Sequence, residues 1–210
     1  MPELSFDVLD AYPDVYGTDP TMLFKLRIAE TTADPIHTMV VRVQIQIDAQ
    51  LRRYSDEEKE LLGDLFGNAE RWGDTLRPFN WTHTATMLQG FRGSTEVDLR
   101  VPCTYDFEVA AAKYFHGLRD GNIPLSFLFS GTVISRGATG YSVTQIPWHK
   151  ECTYPLPVAT WRALMDTYWP GGGWIRLRGE TLDRLQLLKT KGHYTDWDSV
   201  LGELLERAAS

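Results

Sequence analysis

The alternation of apolar and polar residues within Met39–Leu51 constrains the fold more than any other feature of the sequence. Apolar side chains recur at every second position, and Arg42, Gln44 and Gln46 are among the polar residues between them. A period of two over this length predicts a long strand with one buried face and one solvated face. Strands with one polar face are typical of antiparallel sheets, so we expect such a sheet here.

Similar patterns predict about seven further strands, which is too many for one small open sheet with a solvated face. Two packed sheets are the better solution, and we therefore expect an antiparallel β-sandwich. Leu125–Ser135 is apolar on both faces and is predicted to be a central strand. The strand at 39–51 has one solvated face and could lie at an exposed edge of its sheet, where it could pair with another chain. The further strands are predicted at Leu4–Val8, Met22–Ile28, Trp81–Leu88, Thr95–Val101, Leu125–Ser135, Tyr141–Ile146 and Cys152–Leu156.

Two helices are predicted to interrupt the strands. The first covers Ser55–Phe66 with Ser55 as its N-cap, and the second follows Asp106, with Phe107 on its apolar stripe and Glu108 in its first turn. The last third of the chain has helical period, and we expect its helices to pack on the sandwich. The predicted fold is a single α+β domain over residues 1–210, with a separate helical subdomain at 157–210 as the alternative.

Composition narrows the classes of function. The 210 residues include 28 acidic and 21 basic side chains, for a net charge of -7, and the basic residues are scattered. Nucleic acid and anionic membranes are therefore not expected as partners. The sequence has no apolar run of the roughly 18 residues that a membrane span needs. We expect a cytoplasmic protein.

The stretch 101–117, VPCTYDFEVAAAKYFHG, contains residue types common in catalytic and metal sites. The change from strand period to helical period gives Asp106 and Glu108 ordinary roles at a helix start. Cys103 is the remaining chemical candidate, because an exposed thiol beside a helix start has a lowered pKa. The five histidines lack the spacing of a metal motif, so we assign no catalytic residue, no metal ligand and no cofactor.

The chain is rich in tryptophan, with seven in total. Tryptophan suits both a core and a binding surface because it combines a large apolar face with one hydrogen-bond donor. Trp81 is predicted to share a strand face with His83, and Trp148 and His149 follow a proline at a turn. The default interpretation of these tryptophans is that they pack in the hydrophobic core. The candidate partner-binding or reactive residues are Cys103, Trp81, Trp148 and His149.

Several segments together resemble an uncharacterised bacterial family, a domain of unknown function associated with gene clusters for uptake-type [NiFe]-hydrogenases. The resemblance runs from about residue 40 to near the C-terminus and implies a cytoplasmic accessory protein in hydrogenase assembly. Its partner would be a hydrogenase subunit or a maturation factor. The resemblance implies no catalytic residues. It rests on RYSDEEKELLGDLFG, RWGDTLRPFNWTH, GSTEVDLRVPCTYDFEVAAAKYFHGL, GNIPLSFLFSGTVISRG, IPWHKECTYPLPVATWRALMDTYWP and GWIRLRGETLDRL.

Three functions are therefore compared. The first is a non-enzymatic accessory protein that binds a partner through aromatic-rich surfaces. The second is a β-sandwich that binds a small ligand or carbohydrate by stacking on exposed tryptophans, which requires that Trp72, Trp81 and Trp148 are not all buried. The third is a hydrolase or metal-handling protein built from Cys103, Asp106, His116 and His149, residues far apart in sequence.

Overall fold

The computed structural model describes residues 3–32, 35–106, 109–137, 140–172 and 175–209. Within these ranges it contains eight strands and seven helices, and all strand pairs are antiparallel. The predicted α+β class is confirmed. The strands are β1 (Leu4–Pro13), β2 (Thr21–Glu30), β3 (Ile36–Ile47), β4 (Phe79–Phe91), β5 (Ser94–Pro102), β6 (Asn122–Gly137), β7 (Gly140–Gln145) and β8 (Glu151–Pro157).

The strands form two sheets. One has three strands in the order β1-β2-β5, and the other has five strands, in which β4-β3-β6-β7 lie side by side and β8 also pairs with β6. The predicted central position of β6 is confirmed, because it is paired on both sides. The prediction that the strand at 39–51 could pair at an exposed edge is wrong, because β3 is hydrogen-bonded to β4 on one side and to β6 on the other.

The core lies between the two sheets. The alternation that predicted β3 places Val41, Val43 and Ile45 on the inner face, where each is at most 1% exposed. Aromatic rings join the sheets, since Phe6 of β1 stacks on Phe129 of β6 with ring centres 4.2 Å apart. Removing this much apolar surface from water is the main force that holds the sandwich together.

β3 ends earlier than its sequence pattern predicts. The pattern continues to Leu51, but the strand stops at Ile47 and a short 3-10 turn follows at Ala49–Leu51. At the break, the buried carboxylate of Asp48 accepts a hydrogen bond of 2.6 Å from Ser126 Oγ. Asp48 and Ala49 are both buried and Leu51 is 69% exposed, so the alternation of burial ends with the strand.

The helices before β8 are shorter than predicted. The predicted helix 55–66 is divided at Leu62, before Gly63, a weak helix former. Its start is as predicted, because Ser55 Oγ accepts a hydrogen bond from the Glu58 N–H. These helices are α1 (Asp56–Leu61), α2 (Gly63–Phe66), α3 (Trp72–Thr75) and α4 (Ala110–Gly117), with a 3-10 turn at Ala69–Arg71.

The start predicted for the helix after β5 is wrong. Asp106 is not its N-cap, because α4 begins at Ala110 and Val109 occupies the cap position without a side-chain hydrogen bond. The Asp106 N–H instead donates a hydrogen bond of 3.1 Å to Thr104 Oγ1 within a local turn. Phe107 and Glu108 lie outside the described residues, so their predicted roles stay untested.

The chain divides into two compact units, residues 1–174 and 175–210. In the first unit, helix α5 (Val158–Tyr168) packs against β1, β2 and β8 through an apolar face that includes Trp161 and Leu164. The second unit contains α6 (Gly179–Lys191) and α7 (Trp197–Ala209). Organisation as a single domain stays a prediction.

Candidate functional site

The outer face of the five-stranded sheet carries an open groove of about 570 Å³. The strand register creates it, because Gln44 in the middle of β3 lies opposite His83 of β4 and Leu128 of β6. Trp148, in the turn between β7 and β8, also lines this groove. We call it the outer groove, and its outward-facing side chains include Arg42, Gln44, His83, Ala85, Leu128, Ser130 and Trp148.

Large apolar side chains are exposed around the outer groove. Val40 lies opposite Met87 of β4 and Thr132 of β6, and further along β6 Ile134 lies opposite Val143 of β7. Because paired residues share a sheet face, these side chains and Tyr141 project from the outer face. We define the outer patch as Val40, Met87, Tyr141, Val143 and Trp148, which are 38%, 74%, 61%, 67% and 91% exposed.

Trp148 is the most exposed member of the outer patch and was one of the residues proposed from sequence. Its ring meets the ring of His149 edge to face, with centres 5.9 Å apart. His149, also proposed from sequence, therefore lies beside the patch. His149 is not among the residues that line the outer groove.

Trp81 lies on the opposite side of the sheet from its predicted position. A bulge in the pairing of β3 with β4 places Ile45 opposite Thr82 and Gln46 opposite Asn80, which leaves Trp81 as the extra residue. The bulge reverses the alternation at this point. The Trp81 ring consequently faces inward, 4.9 Å from the ring of Phe115, and the prediction that it shares a face with His83 is wrong.

Cys103 lies with Trp81 on the wall of a small inner cavity of about 210 Å³. Its Sγ donates a hydrogen bond of 3.5 Å to the Val101 carbonyl. Part of the residue reaches solvent, yet burial raises the pKa of the Cys103 thiol to about 12. A helix start lowers the pKa only of an exposed thiol, whereas Cys103 is partly buried against the core.

The four residues proposed from sequence therefore do not form one site. Trp81 and Cys103 line the inner cavity, whereas Trp148 lines the outer groove with His149 beside it. Trp72 is buried, Trp81 partly buried and Trp148 exposed. Within the described part of the chain, no three His, Cys, Asp or Glu residues form a group that could hold a metal ion.

A second small cavity, of about 200 Å³, lies between α4, α5 and the segment that follows β5. Tyr105 Oη and His116 Nδ1 share a hydrogen bond of 2.9 Å at its wall. Burial lowers the pKa of His116, and the charges of Arg119 and Arg162 lower it further. We call this the arginine cavity. Its residues cannot be grouped from the sequence pattern, because Tyr105 and Arg162 are far apart in the chain.

Apart from Trp148, the exposed apolar residues of the outer patch were also missed. Val143 and Tyr141 alternate with Ser142 and Thr144, a pattern that on its own predicts that the face of Val143 and Tyr141 is buried. Met87 belongs to a strand whose alternation was recognised, but the sequence gives no indication that its apolar face points outward. The pairing of β4 with β3 and of β7 with β6 decides which face these side chains occupy.

Comparison with models of known protein families identifies the family of this chain. A family model matches residues 1–210. The chain belongs to DUF6084, a family of unknown function. The expected membership of an uncharacterised family is confirmed at this level, and for this DUF6084 chain the association with hydrogenase gene clusters stays a prediction. No curated protein matches the DUF6084 chain significantly.

Solved structures give only a distant likeness. A β-glucosidase from Kluyveromyces marxianus is 10% identical, with a TM-score of 0.28 over 73% of this chain and 15% of the enzyme. β-Glucosidase 3B from Thermotoga neapolitana, in complex with α-D-glucose, is 14% identical, with a TM-score of 0.29 over 73% of this chain and 17% of the enzyme. The DUF6084 chain thus spans less than a fifth of either enzyme, and TM-scores this low support no functional conclusion.

No helix in the described ranges has both the length and the hydropathy of a membrane-spanning segment.

Proposed function

We propose that this chain is a non-enzymatic accessory protein that binds a partner protein through the outer patch. The observation that carries the proposal is the exposure of five large apolar side chains on and beside one sheet face, with Trp148 at 91%. Monomeric proteins rarely expose contiguous apolar surface of this kind unless it is an interaction site.

The composition of the outer patch is that of a binding hot spot. Tryptophan and tyrosine are enriched among residues that dominate binding energy, and methionine adapts to an irregular partner surface. Trp148 and Tyr141 provide the rings and Met87 the flexible side chain. Arg42 and His83 in the adjoining groove supply polar groups that can fix the orientation of the partner.

The partner is proposed to be a hydrogenase subunit or a maturation factor. The support for this step is the resemblance of the sequence to a family associated with [NiFe]-hydrogenase gene clusters. A patch on a rigid sheet suits such a role, because strands hold the contact residues in a fixed arrangement before binding.

The experiment is a quantitative pull-down from a host that expresses the hydrogenase genes. The tagged wild type is compared with Trp148→Ala and with Tyr16→Ala, a matched control because Tyr16 is 94% exposed but lies in the turn between β1 and β2. We expect Trp148→Ala to reduce recovery of the hydrogenase partner by about tenfold or more, as a hot-spot residue would. Tyr16→Ala should leave recovery unchanged.

Deletion of the gene tests the cellular role separately. The proposal predicts unprocessed large subunit and reduced hydrogenase activity in the deletion strain, restored by the wild type and not by Trp148→Ala. Fully processed subunit with unchanged activity would contradict a role in assembly. Equal loss of partner with both exposed-aromatic variants would contradict binding through the outer patch.

Carbohydrate or small-ligand binding is the second candidate, favoured by one specific observation. Trp148 stands beside a groove whose lining includes the polar side chains Arg42, Gln44, His83 and Ser130, and an exposed indole ring is a stacking platform for a sugar. A screen of oligosaccharides by tryptophan fluorescence separates the two functions. Saturable quenching that is lost in Trp148→Ala, without a protein partner in the pull-down, would favour the second candidate.

A further inference from the structure

The arginine cavity is polar on one side and apolar on the other. Its apolar wall includes Trp161 and Met165 of α5, and the Tyr105 ring lies parallel to the Trp161 ring with centres 5.8 Å apart. The polar wall carries the side chains of Arg119, Arg162, Asp166 and His116. Charged groups from α5 and from the segment after α4 thus meet beside two aromatic rings.

Each arginine side chain makes one hydrogen bond to the described part of the protein, and its other N–H groups remain able to donate. Arg162 Nη2 donates to the Leu118 carbonyl at 2.6 Å, and Arg119 Nε donates to Glu57 Oε1 at 2.6 Å. A guanidinium group has five N–H donors in a rigid plane. Each arginine is therefore oriented by the protein and can still offer a pair of N–H groups to an anion.

Trp161 provides a second and independent indication of a ligand. The residue is only 2% exposed, and its indole N–H has no hydrogen-bond partner within the described residues. A buried donor without a partner costs free energy, and such groups in folded proteins are rare enough to need an explanation. Trp161 lines both the arginine cavity and the inner cavity, and an acceptor bound beside its ring would satisfy this donor.

The charge at the cavity wall limits what the ligand can be. The two arginine charges are offset by the carboxylate of Asp166 and by that of Glu57, which pairs with Arg119, while burial and the arginines favour neutral His116. A dianion such as phosphate would meet stronger repulsion from these carboxylates than a monoanion, so the wall favours the monoanion. The volume of about 200 Å³ is below the roughly 300 to 1,000 Å³ of sites for drug-sized ligands, so the ligand is small.

We propose that the arginine cavity binds a small organic carboxylate, with the carboxylate on Arg119 and Arg162 and the apolar part against Trp161 and Tyr105. This site is separate from the outer patch and does not depend on the proposed partner protein. It makes the chain a carboxylate-binding protein as well as an accessory protein.

Isothermal titration calorimetry of the full-length protein tests the proposal with benzoate, propionate and inorganic phosphate as probes. We expect saturable binding of a carboxylate with a Kd of about 1 mM or tighter, and weaker binding of phosphate. Arg162→Gln should weaken carboxylate binding by about tenfold or more, because it removes a charge-assisted hydrogen bond. The matched control is Arg136→Gln, since Arg136 is an exposed arginine of β6 beside Tyr141.

Trp161→Phe is the second variant and removes the indole N–H while it keeps an aromatic ring. It should weaken binding even if Arg162→Gln unfolds, and circular dichroism melting verifies that each variant is folded. Three results would overturn the proposal: no saturable binding of either carboxylate, tighter binding of phosphate than of carboxylates, or an equal loss of affinity in Arg136→Gln.

Discussion

Cys103 shows how the surroundings of one side chain decide its chemistry. The residue directly follows β5, and its thiol is enclosed by the inner cavity wall and the Val101 carbonyl. Burial disfavours the thiolate because a charge loses its hydration there, and this raises the pKa of Cys103 to about 12. Cys152 is affected in the same way, with burial raising its pKa to about 11.

Cys103 is therefore predicted to be unreactive in the folded protein. In a Cys152→Ser variant, the native protein should react with a thiol reagent roughly a thousandfold more slowly than the same variant unfolded in guanidinium chloride, since the thiolate is the nucleophile. Stopped-flow labelling near neutral pH measures both rates. The converse variant, Cys103→Ser, reports Cys152 alone. Equal rates in the folded and unfolded protein would show that the thiol is not shielded.

At the scale of elements, Glu58 ties helix α1 to the rest of the first unit. Its carboxylate accepts hydrogen bonds from Arg52 Nη2 at 2.5 Å, from the Arg119 N–H at 2.8 Å and from the Ser55 N–H at 3.0 Å. The side chains of Glu58 and Arg52 are 2% and 7% exposed. Arg52 also donates to the Asn122 carbonyl at 2.8 Å. One buried ion pair thus joins α1, the segment after α4 and the start of β6.

Glu58→Gln is predicted to destabilise the protein by about 3 kcal/mol, because it removes the buried partner of Arg52 and leaves, among the described residues, only the exposed Asp120 carboxylate, 3.9 Å away. Urea unfolding followed by tryptophan fluorescence measures the change. The control is Asp56→Asn, which breaks the ion pair of Asp56 with Lys59 on the exposed side of the same helix. That variant should change stability little, since exposed pairs are screened by water. Similar losses in both variants would contradict a special role for Glu58.

The same carboxylate makes stability depend on pH. Burial on its own raises the pKa of Glu58, but hydrogen bonds from the Arg119 and Ser55 N–H groups and from Arg52 outweigh it, so the pKa lies below its usual 4.5. A depressed carboxyl pKa stabilises the fold above the unfolded value, and this is lost as pH falls through the folded value. The difference between wild type and Glu58→Gln should therefore shrink as the pH falls below the usual carboxyl pKa of 4.5 towards the lower folded value.

At the scale of the whole molecule, the hydrophobic core belongs to the first unit. Every residue of the main buried cluster lies between Leu4 and Met165. The two sheets and helix α5 thus supply their own core, and a sandwich of this size can bury enough apolar surface to fold. This arrangement predicts that the first unit is autonomous.

A fragment of residues 1–174 is accordingly expected to unfold in one cooperative thermal transition, as measured by circular dichroism, with the full-length chain as the reference. A fragment that shows no cooperative transition would contradict autonomy and would favour the single domain over residues 1–210. The outer patch lies within this unit, so a folded fragment should also retain partner binding in the pull-down described above.

Trp81 and Trp148 show what the sequence pattern and the tertiary structure each contribute to the inner cavity and the outer groove. Trp81 and Trp148 both lie near the ends of predicted strands, and both are tryptophans in polar surroundings. A one-residue bulge opposite Ile45 turns Trp81 into the core, while the turn after β7 leaves Trp148 in solvent. A bulge is set by the pairing of two distant strands, so local sequence does not reveal it.

The sequence by itself determined the local periodicity of each element and hence the α+β class, the antiparallel strands, the central position of β6 and the Ser55 helix start. These follow from interactions between neighbouring residues along the chain. The tertiary structure alone decided which sheet face is exposed, that Cys103 is shielded, and that Tyr105, His116, Arg119 and Arg162 line one cavity. Such properties depend on strand register and helix packing, which bring together residues that are far apart in sequence.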